Sequence, residues 1–340
     1  MEEPEAQAGV AIGDWADRLP KVELHLHLEG AIPLDALWHL VGKYGGDPQI
    51  PDARTLEARF RYSDFPHFLR VWGWKNTFLR EYEDFTFIAE AVARDLARQN
   101  IRYVEAFFSP SDFYAAGLEA PRIAQAIRAG LNKVPAAAVM LVADLVRDTG
   151  PELAGRTLST LGGACRECGV VGVGIGGSEH AVPPEPFAEV YEQARSLGLR
   201  TSAHAGEAAG PQSVWGALRS LRAERIGHGT RSEEDPALVD FLAEHRIPLE
   251  MCPISNLRTG VVAAIEAHPV KRFHDRGLLV TVNTDDPKMF GTSLADEYRL
   301  LTERLGFTRA DIRQLLSNAV EASWAPAEMK ARLTGEIASG

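Results

Sequence analysis

The stretch KVELHLHLEG, residues 21–30, begins with a short apolar, β-branched run at 22–27 and ends in a glutamate and a glycine. A run of this kind, bounded by turn residues, predicts a buried β-strand. Seven more such runs follow along the chain, and stretches with helical periodicity lie between them. These runs are residues 101–108, 137–144, 170–176, 199–205, 224–228, 247–252 and 278–284. Strand and helix alternating eight times predict a (β/α)8 TIM barrel of the α/β class.

The connection between the first two runs is longer than the others, since it extends from residue 28 to residue 100. A connection of this length predicts extra helices inserted between strands 1 and 2. It contains the aromatic segment FPHFLRVWGWKNTF, residues 65–78, which is a candidate cap over a pocket, with core packing as the alternative. The other predicted helices lie at residues 85–98, 121–131, 186–196, 214–221 and 235–243.

Composition limits the class of protein and of partner. The 340-residue chain has 36 basic and 47 acidic residues, a net charge of -11, and 45% hydrophobic residues, which is ordinary globular usage. The negative charge provides no basic field for nucleic acid or an anionic membrane, so we expect a small-molecule partner. The longest apolar run, 134–143, is shorter than the roughly 20 residues that span a bilayer.

No linker or charge block divides the sequence. We therefore expect one barrel domain over residues 16–335, preceded by a flexible N-terminus at residues 1–15. The N-terminus lacks the basic and apolar segments of a secretory signal, and the three cysteines do not form a disulfide framework, so we expect a cytoplasmic protein. The sequence leaves the oligomeric state open.

Titratable residues gather where the predicted strands end, which in a TIM barrel is the face that carries active sites. His25 and His27 lie on one side of the first strand because side chains alternate along a strand. His204 ends the fifth run and Asp285 follows the eighth. Imidazoles and a carboxylate from separate strands are the ligands that zinc uses when it also activates water. We predict these four residues as ligands of one zinc ion.

Three further residues at this end of the barrel, Glu207, His228 and Asp286, suit proton transfer and orientation beside a metal site. A lone histidine on an apolar strand is usually structural, but histidines and carboxylates together at several strand ends favour a catalytic site. We interpret the remaining histidines as solvated or structural, except that one of them, His180, follows a strand end and stays open. They are His39, His67, His180, His245, His268 and His274.

Two other metal chemistries fit less well. A separate class of zinc deaminase uses H-x-E and P-C-x-x-C motifs, but here Ala164 precedes Cys165 and the pair ends at Cys168, far from the histidines. We interpret these cysteines as buried or inert thiols, with a redox or structural-metal role as the alternative. Two-metal hydrolases on this barrel typically bridge their ions with a lysine after the fourth strand, where this chain has GIGGSE, residues 174–179. One metal ion is the better interpretation.

Taken in order, these motifs resemble the adenosine deaminase family of the amidohydrolase superfamily. The resemblance extends from Leu19 to about Ser323. It rests on LPKVELHLHLEGAI, YVEAFFSP, GIGGSE, HAGE, RIGHGT, CPISN and NTDDP. It implies zinc-dependent hydrolytic deamination of a 6-aminopurine to a 6-oxopurine and ammonia, with the four predicted residues as zinc ligands.

The resemblance also implies individual roles. Glu207 would give a proton to purine N1, and His228 would orient the attacking water. Asp286 would bind N7, and the backbone of Gly177 would contact the purine near N3. Glu29 stands where the best-known adenosine deaminases carry an aspartate that contacts the ribose 5′-hydroxyl, which makes it a candidate substrate-binding residue.

The substrate side of the resemblance contains two departures, Glu29 and Gly174, the second at a position where aspartate is common. Relatives with Glu at the first position resemble adenine and aminodeoxyfutalosine deaminases, whereas adenine-specific relatives tend to carry serine in place of Gly177. We predict an adenosine-type nucleoside as substrate. The alternatives are 6-aminodeoxyfutalosine, from menaquinone biosynthesis, and adenine.

Two hypotheses from other functional classes fit the motifs less well. A catalytically silent binding protein on the same scaffold would be expected to lose a ligand or the acid, and none is missing. Another amidohydrolase, acting on a cyclic amide or an ester, shares the HxH motif and the late aspartate but does not explain HAGE together with NTDDP.

Overall fold

A computed structural model describes residues 12–339. Eight parallel strands pair in the order β1 to β8, each with the next along the chain, which confirms the predicted TIM barrel. The strands are β1 Lys21–His27, β2 Ile101–Phe108, β3 Ala138–Asp144, β4 Val170–Gly174, β5 Arg200–Ala205, β6 Arg225–His228, β7 Leu249–Met251 and β8 Val280–Val282. Several are shorter than their apolar runs, because the flanking residues already belong to the connecting loops.

The first and last strands meet through the segment that follows β8. The backbone N–H of His27 donates to the carbonyl of Asp285 at 2.8 Å, and the N–H of Asp285 donates to the carbonyl of His25 at 2.9 Å. The N–H of Leu24 donates to the side-chain oxygen of Asn283. These bonds hold the segment after β8 against β1 and so join the last strand of the barrel to the first.

Helices surround the strands and include four between β1 and β2, as predicted. The first seven are α1 Ile12–Arg18, α2 Leu34–Lys43, α3 Ala53–Arg59, α4 Phe65–Asn76, α5 Tyr82–Arg98, α6 Ala120–Leu131 and α7 Gly150–Leu161. The next five are α8 Cys165–Cys168, α9 Ala188–Ser196, α10 Pro211–Gly216, α11 Pro236–Glu244 and α12 Pro253–Arg258. The last five are α13 Val270–Asp275, α14 Pro287–Phe290, α15 Leu294–Arg304, α16 Arg309–Ala322 and α17 Ala327–Ser339.

Two predicted boundaries can be compared with these helices. The helix predicted at 214–221 begins at Pro211, because proline is favoured in the first helical turn, and it continues as a π-helical turn over Ala217–Leu221. Of the predicted N-terminal segment, residues 1–11 lie outside the described part of the chain, and α1 begins at Ile12. Within residues 12–339, no helix combines the length and the apolar character needed to cross a membrane.

A buried ion cluster lies inside the barrel near the start of β6. Arg225 is 1% exposed and lies 2.6 Å from a carboxylate oxygen of Glu105 and 2.5 Å from one of Glu250. The ring of Trp324 stacks 3.5 Å from the guanidinium, and the backbone N–H of Trp324 donates to Glu105. Because these three side chains are buried, each charge is stabilised by its oppositely charged partners and not by water.

Replacing Arg225 by methionine is expected to destabilise the fold by about 3–5 kcal/mol, because two buried carboxylates lose their cation. Urea denaturation followed by circular dichroism measures this loss. The control is Arg246→Ala, which breaks an exposed ion pair with Glu321 and should cost at most about 1 kcal/mol. Equal losses in the two variants would contradict the assignment of a stabilising role to the buried cluster.

Candidate active site

The four predicted ligands come together at the C-terminal end of the barrel. His25 and His27 lie two residues apart on β1, His204 is near the end of β5, and Asp285 follows β8. The Nε2 atom of His204 lies 3.0 Å from that of His25 and 3.2 Å from that of His27. An oxygen of Asp285 lies 3.5 Å and 3.3 Å from the same two nitrogens. All four side chains are buried.

This donor set fits a metal ion. Bonds of about 2.0–2.2 Å to one zinc ion at tetrahedral angles separate neighbouring ligand atoms by about 3.3–3.6 Å, and the observed separations are close to that range. The electrostatics agree: burial alone would lower the pKa of His27, but hydrogen bonding to Asp285 and the negative charges of Asp286, Asp285 and Asp144 together raise it to about 10. A cluster that stabilises a positive charge on an imidazole also stabilises a bound cation.

Two outer contacts orient the ligands. The Nδ1 atom of His25 lies 2.9 Å from a carboxylate oxygen of Glu250, which leaves Nε2 directed at the other ligands. The hydroxyl of Ser255 donates to the second oxygen of Asp285 at 2.6 Å. Glu250 is fully buried and is also the partner of Arg225. Carboxylates in this position fix the orientation and the tautomer of a ligand histidine.

Glu250→Gln is expected to weaken zinc binding by about 10- to 100-fold, because the amide loses the charge that accepts the Nδ1–H of His25. Competition with a chromophoric chelator measures the affinity. The matched control is Glu105→Gln, since Glu105 pairs with the same Arg225 in the barrel interior and has no contact with His25 among the described residues. The control should lose stability and keep its zinc affinity. Equal zinc affinity in the wild type and Glu250→Gln would refute the orienting role.

Glu207 and His228 lie beside the ligand cluster. Nε2 of His228 is 3.6 Å from a carboxylate oxygen of Glu207 and 3.9 Å from one of Asp285. Burial, reinforced by the negative charge of Asp285, raises the pKa of Glu207 well above its usual value. Burial lowers the pKa of His228 to about 3. These shifts favour the neutral forms of both side chains, a carboxyl that can donate a proton and an uncharged imidazole.

The hydrogen bonds of Asn256 determine the tautomer of His228. The Asn256 oxygen accepts from the Thr230 hydroxyl at 2.8 Å and lies 3.1 Å from Nε2 of His268. Its amide nitrogen therefore faces Nδ1 of His228, at 3.2 Å. With Nδ1 as the acceptor, the proton of His228 lies on Nε2, directed at the cluster. His268, interpreted as structural, thus acts on the site through Asn256.

Asp286 and Gly177 lie on the wall of the adjoining cavity. Asp286 is buried, and its Oδ1 has no hydrogen-bond partner within residues 12–339. Burial, followed by the charge of Asp285, raises the pKa of Asp286 to about 8, so this carboxyl is protonated at neutral pH. Gly177 has φ of +98°, and a Cβ there would lie 2.0 Å from a carboxylate oxygen of Asp148. Glycine is required here for both reasons.

Glu29 does not line this cavity. Its side chain is buried and accepts the backbone N–H of Ser109 at 3.0 Å, at the end of β2. Burial raises the pKa of Glu29 to about 7 and lowers the pKa of the nearby Lys75 to about 8, while the opposite charge of each residue favours ionisation of the other. The carboxylate therefore shapes the β2 end of the site from behind the cavity wall.

The cavity has a volume of about 240 Å³ and opens from the ligand cluster towards α4. Four side chains of the predicted cap, Phe65, Phe68, Leu69 and Trp72, line it, and Phe68 also packs against Phe290. The aromatic segment therefore serves both expected purposes, as cavity wall and as packing. The other lining residues are His27, Ser109, Asp112, Asp144, Val146, Asp148, Gly176, Gly177, His204, Glu207, His228, Thr259, Asp285 and Asp286.

Other residues considered from the sequence lie away from the cavity. His180 is exposed and does not line it. Cys165 and Cys168 are buried in α8, and burial raises the pKa of Cys165 to about 11, so its thiol is protonated at neutral pH. Protonated, buried thiols are poor nucleophiles and poor metal ligands.

Comparison with known proteins gives matches over nearly the whole chain. Residues 20–339 match the family model described as adenosine deaminase. An aminodeoxyfutalosine deaminase of Streptomyces avermitilis is 38% identical over 337 residues, covering 98% of this chain and 94% of that protein. An adenine deaminase of Streptomyces coelicolor is 37% identical over 324 residues, covering 94% of this chain and 95% of that protein.

The solved structure of an amidohydrolase from Burkholderia ambifaria with bound zinc superimposes with a TM-score of 0.88 at 27% identity. The match covers 99% of this chain and 94% of that one. Its fold therefore agrees with the barrel described above, including the inserted helices, over almost the full length of both chains.

Proposed function

Because the chain belongs to the adenosine deaminase family, and is therefore a hydrolytic deaminase acting on C–N bonds, we propose that it converts a 6-aminopurine nucleoside to the 6-oxopurine and ammonia. The observation that carries the proposal is the placement of Glu207, His228 and Asp286 around one cavity, beside four residues that suit a metal ion. The oxygen of one water molecule replaces the amino group at C6, and a proton from that water leaves with the nitrogen as ammonia.

His25, His27, His204 and Asp285 would hold one zinc ion, consistent with their donor atoms and spacing. Zinc bound there supplies Lewis acidity, which makes a water molecule nucleophilic near neutral pH. Asn283 and the backbone bonds between β1 and Asp285 keep the carboxylate next to the two histidines of β1. Ser255 and Glu250 hold the orientation of the ligands on either side.

The remaining residues act on the purine and on the attacking oxygen. Glu207, whose protonated form is favoured by burial, gives its proton to N1, which makes C6 more electrophilic. The Nε2–H of His228 holds the attacking oxygen in place near Glu207. Protonated Asp286 donates a hydrogen bond to N7, which is an acceptor. The backbone N–H of Gly177 donates to N3 on the opposite edge of the ring.

The outer cavity supports a neutral substrate that is larger than a free base. It continues past the purine-binding residues to Trp72 and to Asp112, Asp144 and Asp148. Within the described chain, none of the residues that line it is lysine or arginine. Carboxylates accept hydrogen bonds from ribose hydroxyls, whereas a phosphate or a carboxylate on the substrate would meet like charge. This favours adenosine over a nucleotide and over 6-aminodeoxyfutalosine, which carries a benzoate.

A second candidate is deamination of 6-aminodeoxyfutalosine. It is favoured by the 38% identity to the Streptomyces avermitilis protein of that name over 98% of this chain. The similar identity to an adenine deaminase supports adenine in the same way. All three reactions use the same reacting atoms, so the outer cavity decides among them.

A parallel ammonia-release assay with zinc-loaded protein tests the proposal. Adenosine, adenine and 6-aminodeoxyfutalosine are compared by kcat/KM. We expect adenosine to have the highest value. A preference for 6-aminodeoxyfutalosine by a large factor would overturn the choice of adenosine as the substrate and place the enzyme in a biosynthetic reaction, whereas a preference for adenine would overturn the nucleoside assignment. Turnover of none of the three would overturn the proposed function itself.

A further inference from the structure

The glutamate of the GIGGSE motif, Glu179, binds the turn that carries Glu207. Glu179 follows β4 and is 4% exposed. One of its oxygens accepts the backbone N–H of Gly206 at 2.6 Å. The other accepts the N–H groups of Glu207, Ala208 and Ala209 at 3.0, 2.6 and 2.9 Å. A single side chain thus binds every N–H of the turn that carries Glu207.

The turn at residues 206–209 is shaped for this carboxylate. Gly206 has φ of +72°, and a Cβ there would lie 2.7 Å from a methyl group of Val214, so the position requires glycine. Consecutive N–H groups in such a turn converge on a concave site that favours an anion. Here the anion belongs to the neighbouring loop, which ties the end of β5 to the end of β4.

Both ends of this connection face the cavity. Glu207 lines it from the β5 side and Gly177 from the β4 side. The N–H of Glu179 donates to the carbonyl of Gly177 at 2.8 Å. Glu179 therefore contacts both the turn that presents Gly177, through its backbone, and the turn that presents Glu207, through its side chain. Displacement of Glu179 would move a proton donor and a ring contact together.

We propose that Glu179 is a positioning residue that fixes the carboxyl of Glu207 relative to Gly177 and so sets where the proton reaches the purine ring. The inference rests on the proposed function, because it assigns Glu207 as the proton donor. Glu179 itself neither lines the cavity nor touches the reacting atoms.

Glu179→Gln is the informative variant, because glutamine keeps the size of the side chain but directs an NH₂ group at N–H donors. At least one of the four donors then loses its acceptor, and the turn shifts. We expect kcat to fall about 10- to 100-fold, as displacements of about 1 Å do at catalytic groups, with zinc content unchanged. Wild-type kcat in this variant would overturn the inference.

A double-mutant cycle with Glu207→Gln separates positioning from a general structural role. If Glu179 acts through Glu207, adding Glu179→Gln to the Glu207→Gln enzyme should change kcat by less than about twofold. An equal loss in both backgrounds would show that Glu179 acts independently of Glu207 and would overturn the proposal. If Glu207→Gln alone has wild-type activity, Glu207 is not the proton donor, and the role proposed for Glu179 fails although the deaminase function stands.

The matched control is Asp84→Asn. Asp84 is also a buried carboxylate that accepts backbone N–H groups, those of Arg80 and Glu81 at 2.9 and 3.1 Å, but it lies at the start of α5 and does not line the cavity. This variant should lower the melting temperature and leave kcat unchanged.

Hydrogen exchange on the wild-type protein tests the contact even where Glu179→Gln fails to fold. The amides of residues 206–209 lie in a turn, yet we expect their exchange to be as slow as that of β5, since each donates to a buried carboxylate. Rapid exchange, typical of an open loop, would overturn the proposal.

Discussion

Replacing Glu207 by glutamine is expected to lower kcat by about 10²- to 10⁴-fold and to leave zinc bound, because the amide fills the same space without a proton to transfer. Burial and the charge of Asp285 raise the pKa of Glu207, which favours the protonated form of the wild-type carboxyl. Activity should therefore fall as pH rises through that pKa, and the variant should lack this alkaline decline. Ammonia release and metal analysis of the same samples measure both effects.

The control for Glu207 is Glu234→Gln, an exposed glutamate that pairs with Arg231 near the same end of the barrel. Its rate and pH profile should match those of the wild type. Comparable rates in Glu207→Gln and wild type, with zinc present in both, would remove Glu207 from proton transfer and would also remove the basis for the role of Glu179.

Asp285→Asn is expected to weaken zinc binding by more than about 100-fold. Replacing a residue that only hydrogen-bonds a metal ligand already lowers metal affinity by about 10- to 100-fold, and Asp285 is itself a predicted ligand. At saturating zinc, kcat should still fall by about 10³-fold, since the charge beside the attacking oxygen is lost. Asp285 has φ of +63°, a region that asparagine tolerates, so the substitution changes the charge with little backbone strain. Chelator competition and ammonia release measure the two losses.

Two controls distinguish the loss of a zinc ligand from unfolding of the variant. Asparagine retains the backbone bonds to His25 and His27 that join the segment after β8 to β1, so the far-ultraviolet spectrum should be unchanged. Asp311→Asn, in an exposed cap of α16, serves as the control and should keep both zinc and activity. Tight zinc binding by Asp285→Asn would contradict the ligand assignment.

The ligand cluster could be predicted from the sequence because strand order alone determines where strand ends meet. His25, His27, His204 and Asp285 each stand at or just after a predicted strand, and parallel strands place all such ends on one face. Alternation on β1 then directs both of its histidines the same way. No knowledge of loop conformation is needed for this step.

Residues that act through other residues were missed, because their partners are distant in the chain. Glu250 reaches His25 across the barrel interior, and Asn256 reaches His228, at the end of β6, from α12. Nothing in the spacing of either pair indicates contact. The same reason hides Glu179, whose function lies in the N–H groups of a turn rather than in any side chain.

Two carboxylates of the outer cavity were within reach of the strand-end argument. Asp144 is the last residue of the third predicted strand, and Asp112 lies shortly after the second. The reverse holds for Glu29, which occupies a motif position associated with the sugar. In the structure its side chain accepts the backbone N–H of Ser109. Side-chain direction in a loop depends on such contacts, which the sequence does not reveal.

Adding zinc to metal-free protein and following ammonia release from adenosine tests most directly whether one zinc ion serves a purine nucleoside deaminase. We expect activity to rise in proportion to bound zinc and to reach its plateau at one ion per chain. Full activity without zinc, or a plateau only at two ions per chain, would contradict it.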